Sequence, residues 1–280
     1  MEDGRLNKLR IGYIIQARMA SKRLPGKILM PLPFDHGKPL IKWITDALKK
    51  SKYDSSIVVA TSVNSENQAL EDFCKVEKIA IFRGDEENVL SRFISIIMNN
   101  NFDVIVRLTA DNPIIDLKIL ESAIEQHVRL NKDYTKTDGL PLGMNFEVIN
   151  PKVLLATHDS ELSKDDREHV TLYIRHHSKD AFTLAVGDPQ FRDLRLTIDY
   201  PSDYAAVSLL LACLEDGEFP SYEMVKRIAR TKGWIFEVNG ANIQKRQYTS
   251  ENVEREEALK LLKMYGFNST AQRLMEGAAE

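Results

Sequence analysis

Short, apolar, β-branched runs recur through the first 130 residues, with segments of helical spacing between them. The runs are Ile11–Ile15, Ile57–Ala60, Ile79–Phe82 and Val104–Val106, each of a length suited to a strand buried on both faces. After the first run come Leu40, Ile41, Ile44 and Leu48, after the second Leu70, Phe73 and Cys74, and after the third Val89, Leu90, Phe93, Ile94 and Ile97. Residues three and four apart share a helical face, so each set marks a helix with one apolar side. The alternation predicts an α/β fold with a mostly parallel sheet and helices on both faces. Ligands of such sheets bind beyond the carboxyl ends of the strands, so the loops after Ile15 and Leu108 are the places to search.

Past residue 130 the alternation breaks. Turn signals at Asp138-Gly139 and Leu140-Pro141, with apolar runs at Phe146–Ile149 and Phe182–Val186, predict an inserted small α+β segment over 131–190. A helix is expected at 166–178. The main fold is expected to resume at the β-rich run Leu194–Ile198, and Asp199-Tyr200-Pro201-Ser202 then turns into a helix through 203–214. This reading places one domain at 1–214 and a C-terminal helical extension at 215–280. There, Ala258, Leu261, Leu262 and Tyr265 fall on one helical face closed by Gly266, which covers the domain or meets a partner.

Charge narrows the classes of function. The 38 basic and 41 acidic residues nearly cancel, leaving −3. No bulk field therefore favours nucleic acid or an anionic membrane, and any anionic ligand must meet a local cluster. The two cysteines, Cys74 and Cys213, can form neither a disulfide framework nor a zinc site of four thiolates. The opening MEDGRLNKLRIGYII lacks a signal-peptide core, and no stretch approaches the roughly 20 apolar residues that span a bilayer. A cytoplasmic chain is expected.

The local cluster follows the first strand. Gln16-Ala17-Arg18-Met19-Ala20-Ser21-Lys22-Arg23-Leu24-Pro25-Gly26-Lys27 packs Arg18, Lys22, Arg23 and Lys27, a serine hydroxyl and a Pro-Gly turn into one loop. Phosphates need guanidinium forks, ammonium charges and exposed backbone N–H groups, and this loop can present all three. It satisfies neither the Walker pattern nor G-x-G-x-x-G, and a solvated charged loop is the alternative.

The string A-R-x-x-S-x-R-L-P-G-K resembles the opening motif of the cytidylyltransferases that make CMP-activated acid sugars, the CMP-Kdo and CMP-sialic acid synthetases. It is most similar to their spore-coat polysaccharide relatives. Gly84-Asp85-Glu86-Glu87-Asn88-Val89-Leu90-Ser91-Arg92 resembles the family segment G-x-E-x-x-V-L-x-R, and Arg107-Leu108-Thr109-Ala110-Asp111-Asn112-Pro113 its strand-end aspartate segment. Glu168-His169-Val170-Thr171 and Leu196-Thr197-Ile198-Asp199-Tyr200-Pro201-Ser202-Asp203 are similar to later motifs. The resemblance runs from about Ile11 to Leu214; residues 215–280 match no named motif.

That resemblance implies a Rossmann-like fold of the nucleotide-diphospho-sugar transferase type and transfer of CMP from CTP to an acid sugar, with pyrophosphate leaving. It implies Asp111 and Asp199 as ligands of Mg²⁺, a hard cation that takes oxygen donors and keeps substrate phosphates in its shell. Read alone, either aspartate before its proline reads first as a turn or helix-start residue, and the resemblance is what makes it a metal ligand. Arg18 and Lys27 are then expected at the β- and γ-phosphates, helped by Ser21 and Arg23 beside Ala17. The base is expected at Arg83 and Gly84 and at Thr109 and Ala110. Glu147 and His169 are candidates for the sugar side, with Arg167 and Arg175 for an acceptor carboxylate. Strand-face and helix-surface roles are their alternatives. Asp85 and Asp203 read as turn or helix-start acids. His176-His177 read as surface histidines, and Trp43, Trp234 and Phe236 as core.

Relatives of this kind imply a homodimer joined through 131–190. Competing classes are a sugar-1-phosphate nucleotidylyltransferase, a glycosyltransferase, or a non-catalytic nucleotide-binding subunit of a polysaccharide complex. No two aspartates stand two apart, as D-x-D requires, and Ala17–Lys27 contains only Gly26, not a glycine-rich loop.

Overall fold

The chain enters on β1 (Arg10–Gln16) and a short ribbon of β2 (Pro31–Leu32) and β3 (Lys38–Pro39), then forms α1 (Leu40–Leu48) and β4 (Asp54–Ser62). Next come α2 (Gln68–Glu77), β5 (Ala80–Gly84), α3 (Val89–Met98), β6 (Val104–Thr109) and α4 (Leu117–Arg129). The segment expected as an insertion contributes β7 (Tyr134–Asp138), β8 (Glu147–Ile149), α5 (Pro151–Ala156), α6 (Lys164–Glu168), α7 (Leu172–His177) and β9 (Ala181–Ala185). The first unit ends on α8 (Pro201–Leu211), α9 (Tyr222–Thr231) and α10 (Trp234–Glu237). This computed structural model describes residues 9–242 and 251–276, which fall into two units, Met1–Asn242 and Ile243–Glu280.

One seven-stranded sheet organises the first unit, in the order β5-β4-β1-β6-β8-β7-β9. β5, β4, β1 and β6 are parallel, while β8 runs antiparallel to β6 and to β7. The strands of 131–190 thus extend the main sheet, with Arg107 beside Glu147 and Tyr134 beside Ile149. β7 was hidden in the sequence because Tyr134-Thr-Lys-Thr-Asp138 carries polar residues on both faces.

β1 shows why the runs are apolar throughout. Ile11, Tyr13 and Ile15 point into one buried cluster with α1, α2, α4, α8 and α9, whereas Ile14 points into the other with α3, α5 and α7. Successive side chains of a strand face opposite ways, and helices cover both faces. The chain moves outward from β1 to β4 and β5, then returns to place β6 on the other side of β1. The switch point between β1 and β6 opens a crevice at their carboxyl ends, where ligands of such sheets bind.

Three local expectations are corrected. Leu194–Ile198 is extended but forms no strand of the sheet, making an isolated bridge between Leu142 and Arg195. The helix expected at 166–178 is split into α6 and α7, because Val170 is buried at φ 50, a left-handed conformation costly for a β-branched residue. Trp234 is 55% exposed: at the start of α10, Ile235 and Phe236 take the buried face. Trp43 packs against the core and donates its indole N–H to the Leu32 carbonyl.

Residues 215–242 lie in the first unit, where Tyr222, Met224, Val225, Ile228 and Phe236 join the core. In the second unit, α11 (Glu251–Met264) and α12 (Asn268–Glu276) pack together across Gly266, whose φ of 78 suits a helix-ending glycine. No helix among the described residues is long and apolar enough to cross a membrane.

Candidate active site

The loop after β1 is built to turn Lys27 inward. Gly26 adopts φ 71, a conformation open to glycine at little cost, and starts a single turn, Lys27–Leu29. Its N–H and that of Ser21 both donate to the Met19 carbonyl, at 3.0 and 2.9 Å, while Met19 N–H donates to Asn67 Oδ1 at 2.9 Å. The Ser21 hydroxyl accepts from Leu24 N–H at 3.3 Å, and Ala17 N–H donates to the Ala60 carbonyl at 3.0 Å. Lys27 is then only 7% exposed, and its ammonium donates to Asp111 Oδ2 at 3.4 Å, to Asp199 Oδ1 at 3.1 Å and to the Ile198 carbonyl.

Asp111 and Asp199, 88 residues apart in number, therefore meet on one cation. Asp111 follows β6, and its carbonyl accepts Ile198 N–H at 2.9 Å, which draws the extended 194–198 segment alongside. Asp199 also pairs with Arg23 at 3.1 Å on Oδ1 and with Arg195 at 3.2 Å on Oδ2. Arg23 stacks over the Tyr200 ring, 4.5 Å from its centre, and donates to its hydroxyl at 3.0 Å. Asp203, fully buried at the start of α8, accepts from Arg195, from the N–H groups of Asp199 and Tyr200, and from Asn239 and Asn242. Burial works against its charge, yet Arg195 and these amides hold its carboxyl below the usual value.

No group of three or more His, Cys, Asp or Glu able to hold a metal occurs among the described residues. The Asp111–Asp199 pair fits a different demand: Mg²⁺ is commonly held by one or two carboxylates and completed by substrate phosphates. Two carboxylates sharing one ammonium form such an oxygen donor set.

Arg18 is exposed and, among the described residues, makes no ion pair. It lies near Arg92, buried within the segment that follows β5 and donating to the carbonyls of Asp85 and Glu86 at 2.6 and 2.7 Å. Burial lowers the Arg92 pKa, and the Arg18 charge adds to that shift.

The residues expected near the base are heavily engaged by the fold. Arg83 donates to Glu71 at 2.5 Å and to the carbonyls of Val63 and Asn64 at 3.0 and 2.8 Å, which pins β5 to the loop after β4. The Gly84 carbonyl accepts Val63 N–H at 2.9 Å, and Ala110 N–H goes to the Gln16 carbonyl at 2.9 Å. Thr109 accepts Asn112 N–H at 3.3 Å and the Asn112 side chain at 2.9 Å.

A second cluster sits on the sheet face covered by α7. Glu147 accepts from Arg107 at 2.6 Å on Oε2, and from Tyr134, Thr171 and Arg175 on Oε1. Arg107 reaches on to Gln16 Oε1 at 3.3 Å. Burial would raise the Glu147 pKa, but Arg107, Arg175 and Tyr134 push it down to about 2. Glu147 and Arg175 are thus brought together as partners, while Arg167 and His169 stand exposed nearby in the chain. His176 and His177 are exposed too.

Arg107, Arg195, Tyr134, Thr171 and Asn239 were missed in the sequence. Two of them left a signal: Arg107 interrupts Val104–Leu108 and Arg195 interrupts Leu194–Ile198, and a charge inside an apolar run requires a buried partner.

The family pattern described as cytidylyltransferase matches residues 13–250. The spore coat polysaccharide biosynthesis protein SpsF of Bacillus subtilis is 37% identical over 206 residues, covering 71% of this chain and 85% of that protein. A cytidylyltransferase from Leptospira borgpetersenii superposes with a TM-score of 0.75 at 26% identity, covering 85% of this chain and all of that one. A CMP:2-keto-3-deoxy-manno-octonic acid synthetase complexed with CTP shares the fold, with a TM-score of 0.54 at 17% identity over 72% of this chain and 98% of that one. A match that runs through the whole sheet and both motif-bearing edges leaves one assignment: the chain belongs to the cytidylyltransferase family and is a CTP-dependent nucleotidyltransferase.

Proposed function

We propose that the chain is a cytoplasmic enzyme that transfers the cytidylyl group of CTP to a small acid sugar or related acceptor, supplying a surface polysaccharide or glycoconjugate precursor. An acceptor oxygen forms a bond to the α-phosphorus, the bond from that phosphorus to the bridging oxygen breaks, and pyrophosphate leaves with that oxygen. The observation that carries this reading is the meeting of Lys27, Asp111 and Asp199 at the β1–β6 switch point. The SpsF relative supports the polysaccharide context, and the synthetase of like fold is itself a CTP complex.

Asp111 and Asp199 would hold Mg²⁺, which when bound neutralises charge on the phosphoryl oxygens. The remaining work falls to the chain's own groups, chiefly positioning and electrostatic stabilisation. Arg18, exposed and without a carboxylate partner among the described residues, meets the β- and γ-phosphates. Lys27 and Arg23 neutralise the aspartates in the free protein and turn toward the triphosphate as it arrives, with Ser21 shaping the loop beneath them. Arg83, Gly84, Thr109 and Ala110 shape the base site through backbone they hold rigid. Glu147, pinned by Arg107 and Arg175, presents a fixed wall toward the acceptor, and Arg167 and His169 supply exposed polar groups beside it. The proton of the acceptor passes to water.

Two copies of the chain join through 131–190, whose β9 is one of the two edge strands of the sheet. Sedimentation at the mass of two chains supports this, and a single-chain mass at micromolar concentration removes it. Pyrophosphate release measured with each of the four NTPs and a panel of acid sugars tests the reaction. Release confined to CTP and an acid acceptor is expected; equal release with ATP, or none with any acid, overturns the assignment.

A further inference from the structure

Asp199 does not stand alone. Its carboxylate is gripped from two sides, Oδ1 by Lys27 and Arg23 and Oδ2 by Arg195. The Arg195 guanidinium is a fork across two acids: Nη2 reaches Asp199 Oδ2 at 3.2 Å and Asp203 Oδ2 at 3.0 Å, while Nε reaches Asp203 Oδ1 at 2.8 Å. Arg195 is 7% exposed and Asp203 is 0% exposed, so neither meets a ligand in bulk solvent. A buried arginine fork loses freedom when both acids are set, and the planar guanidinium then transmits the position of one to the other.

Asp203 is in turn fixed from behind. It accepts the backbone N–H of Asp199 at 2.9 Å, so the same acid holds both the main chain and, through Arg195, the side chain of Asp199. Asn239 closes the arrangement from the end of the first unit: its amide donates to Asp203 Oδ1 at 3.0 Å and to the Arg195 carbonyl at 3.0 Å. Asn242 donates to Asp203 Oδ1 at 2.7 Å and to the Ser202 hydroxyl at 2.8 Å. The segment after α10 thus contacts the support of Asp199 and not Asp199 itself.

We infer that Arg195, Asp203 and Asn239 are positioning residues that hold the Asp199 carboxylate in its working orientation, and that residues 215–242 serve the reaction by completing this support. The inference rests on the proposed role of Asp199. Partners that orient a ligating carboxylate characteristically cost about 10- to 100-fold in activity or metal affinity when removed.

The test compares Arg195→Lys, Arg195→Met and Asn239→Ala in the full chain, with Asp199→Asn as reference, reading kcat, KM for CTP and melting temperature. Lysine keeps the charge and cannot fork across two acids. Arg195→Lys is expected to regain most of the melting temperature lost in Arg195→Met, while kcat stays about 10- to 100-fold below the parent and KM for CTP moves less than about threefold. Asn239→Ala is expected to lower kcat in the same direction. An Arg195→Lys protein with parental kcat, or kcat losses that vanish once rates are normalised to folded protein by circular dichroism, overturns the inference and leaves a purely structural pair. A rise in KM for CTP with kcat unchanged overturns it as well, since Arg195 would then touch the nucleotide. If Asp199→Asn itself retains full turnover, the reading of Asp199 fails instead, which separates the two.

Discussion

Two ionic clusters meet β6 near its end, and they are built differently. Beyond the strand, Asp111 and Asp199 share Lys27, with Arg23 and Asp111 open to solvent at 36% and 28% side-chain exposure. Within the sheet, Arg107 of β6 and Glu147 of β8 are 14% and 12% exposed, and both oxygens of Glu147 are taken. The first cluster holds charges that an arriving cation or phosphate can exchange. The second holds charges already paired with one another, whose work is to keep β6, β8 and α7 in register. Charge alone therefore does not mark reactivity; solvent access and exchangeable partners do.

The sharpest test of this contrast is at the aspartates. Asp111→Asn and Asp199→Asn should each lower kcat by about 10²–10³ or more, while the double variant loses little beyond either, because both serve one step. Near-normal turnover in Asp199→Asn would break the comparison, since asparagine replaces aspartate well in a turn.

Glu147→Gln should act on stability first. Losing the carboxylate leaves the partly buried Arg107 without its charge partner, while Arg175, 43% exposed, can turn to water, so the loss should fall between a surface pair and a buried one, about 1–3 kcal/mol. Chemical denaturation should show that loss, with kcat per folded molecule changed less than in the aspartate variants. Turnover lost as deeply as in Asp199→Asn, with stability intact, would place Glu147 in the reacting cluster.

The same glutamate sets an acid limit. Its carboxyl lies at about 2 when folded, below the ordinary carboxylate value near 4.3. A depressed folded pKa contributes stability that is complete above about pH 4.3 and is lost as pH falls toward 2, because the unfolded chain takes up the proton first. Denaturation midpoints from pH 6 to pH 2 should fall less steeply in Glu147→Gln than in the parent. Parallel slopes would show that other groups govern the acid limit.

The smallest effect is expected at Arg18. Arg18→Ala removes an exposed cation that holds nothing among the described residues, so the melting temperature should not move. KM for CTP should rise about fivefold, the size of a single solvent-exposed charge contact of about 1 kcal/mol. An unchanged KM would take Arg18 out of the triphosphate site.

Much of the first cluster was legible in the chain. Arg18 and Asp111 stand just past strand ends and Lys27 closes the loop that follows β1, and strand ends of an α/β sheet are read directly from apolar periodicity. The cationic loop marks Lys27 as a phosphate ligand, but its burial between two carboxylates depends on the Gly26 turn and on a segment more than 160 residues later. The second cluster was half visible. The motifs point to Glu147 and Arg175 for the sugar side, whereas their mutual bond, with Tyr134 and Thr171 added, depends on β8 entering antiparallel and on Val170 breaking a helix. Trp234 misled because apolar character does not choose a face at the start of a four-residue helix.

The sequence by itself determined the strand-helix alternation, the apolar two-sided strands, the placement of a cationic loop and of Asp111 at the sheet's carboxyl edge, and the family. Those are set by short-range rules: side-chain period, β-branching and turn chemistry act within a few residues. Tertiary structure alone decided that Asp199 joins Asp111 on one lysine, that Arg195 spans Asp199 and Asp203, and that Asn239 closes the support. A hydrogen bond or ion pair needs approach within a few ångströms, and only the folded sheet brings groups so distant in the chain that close.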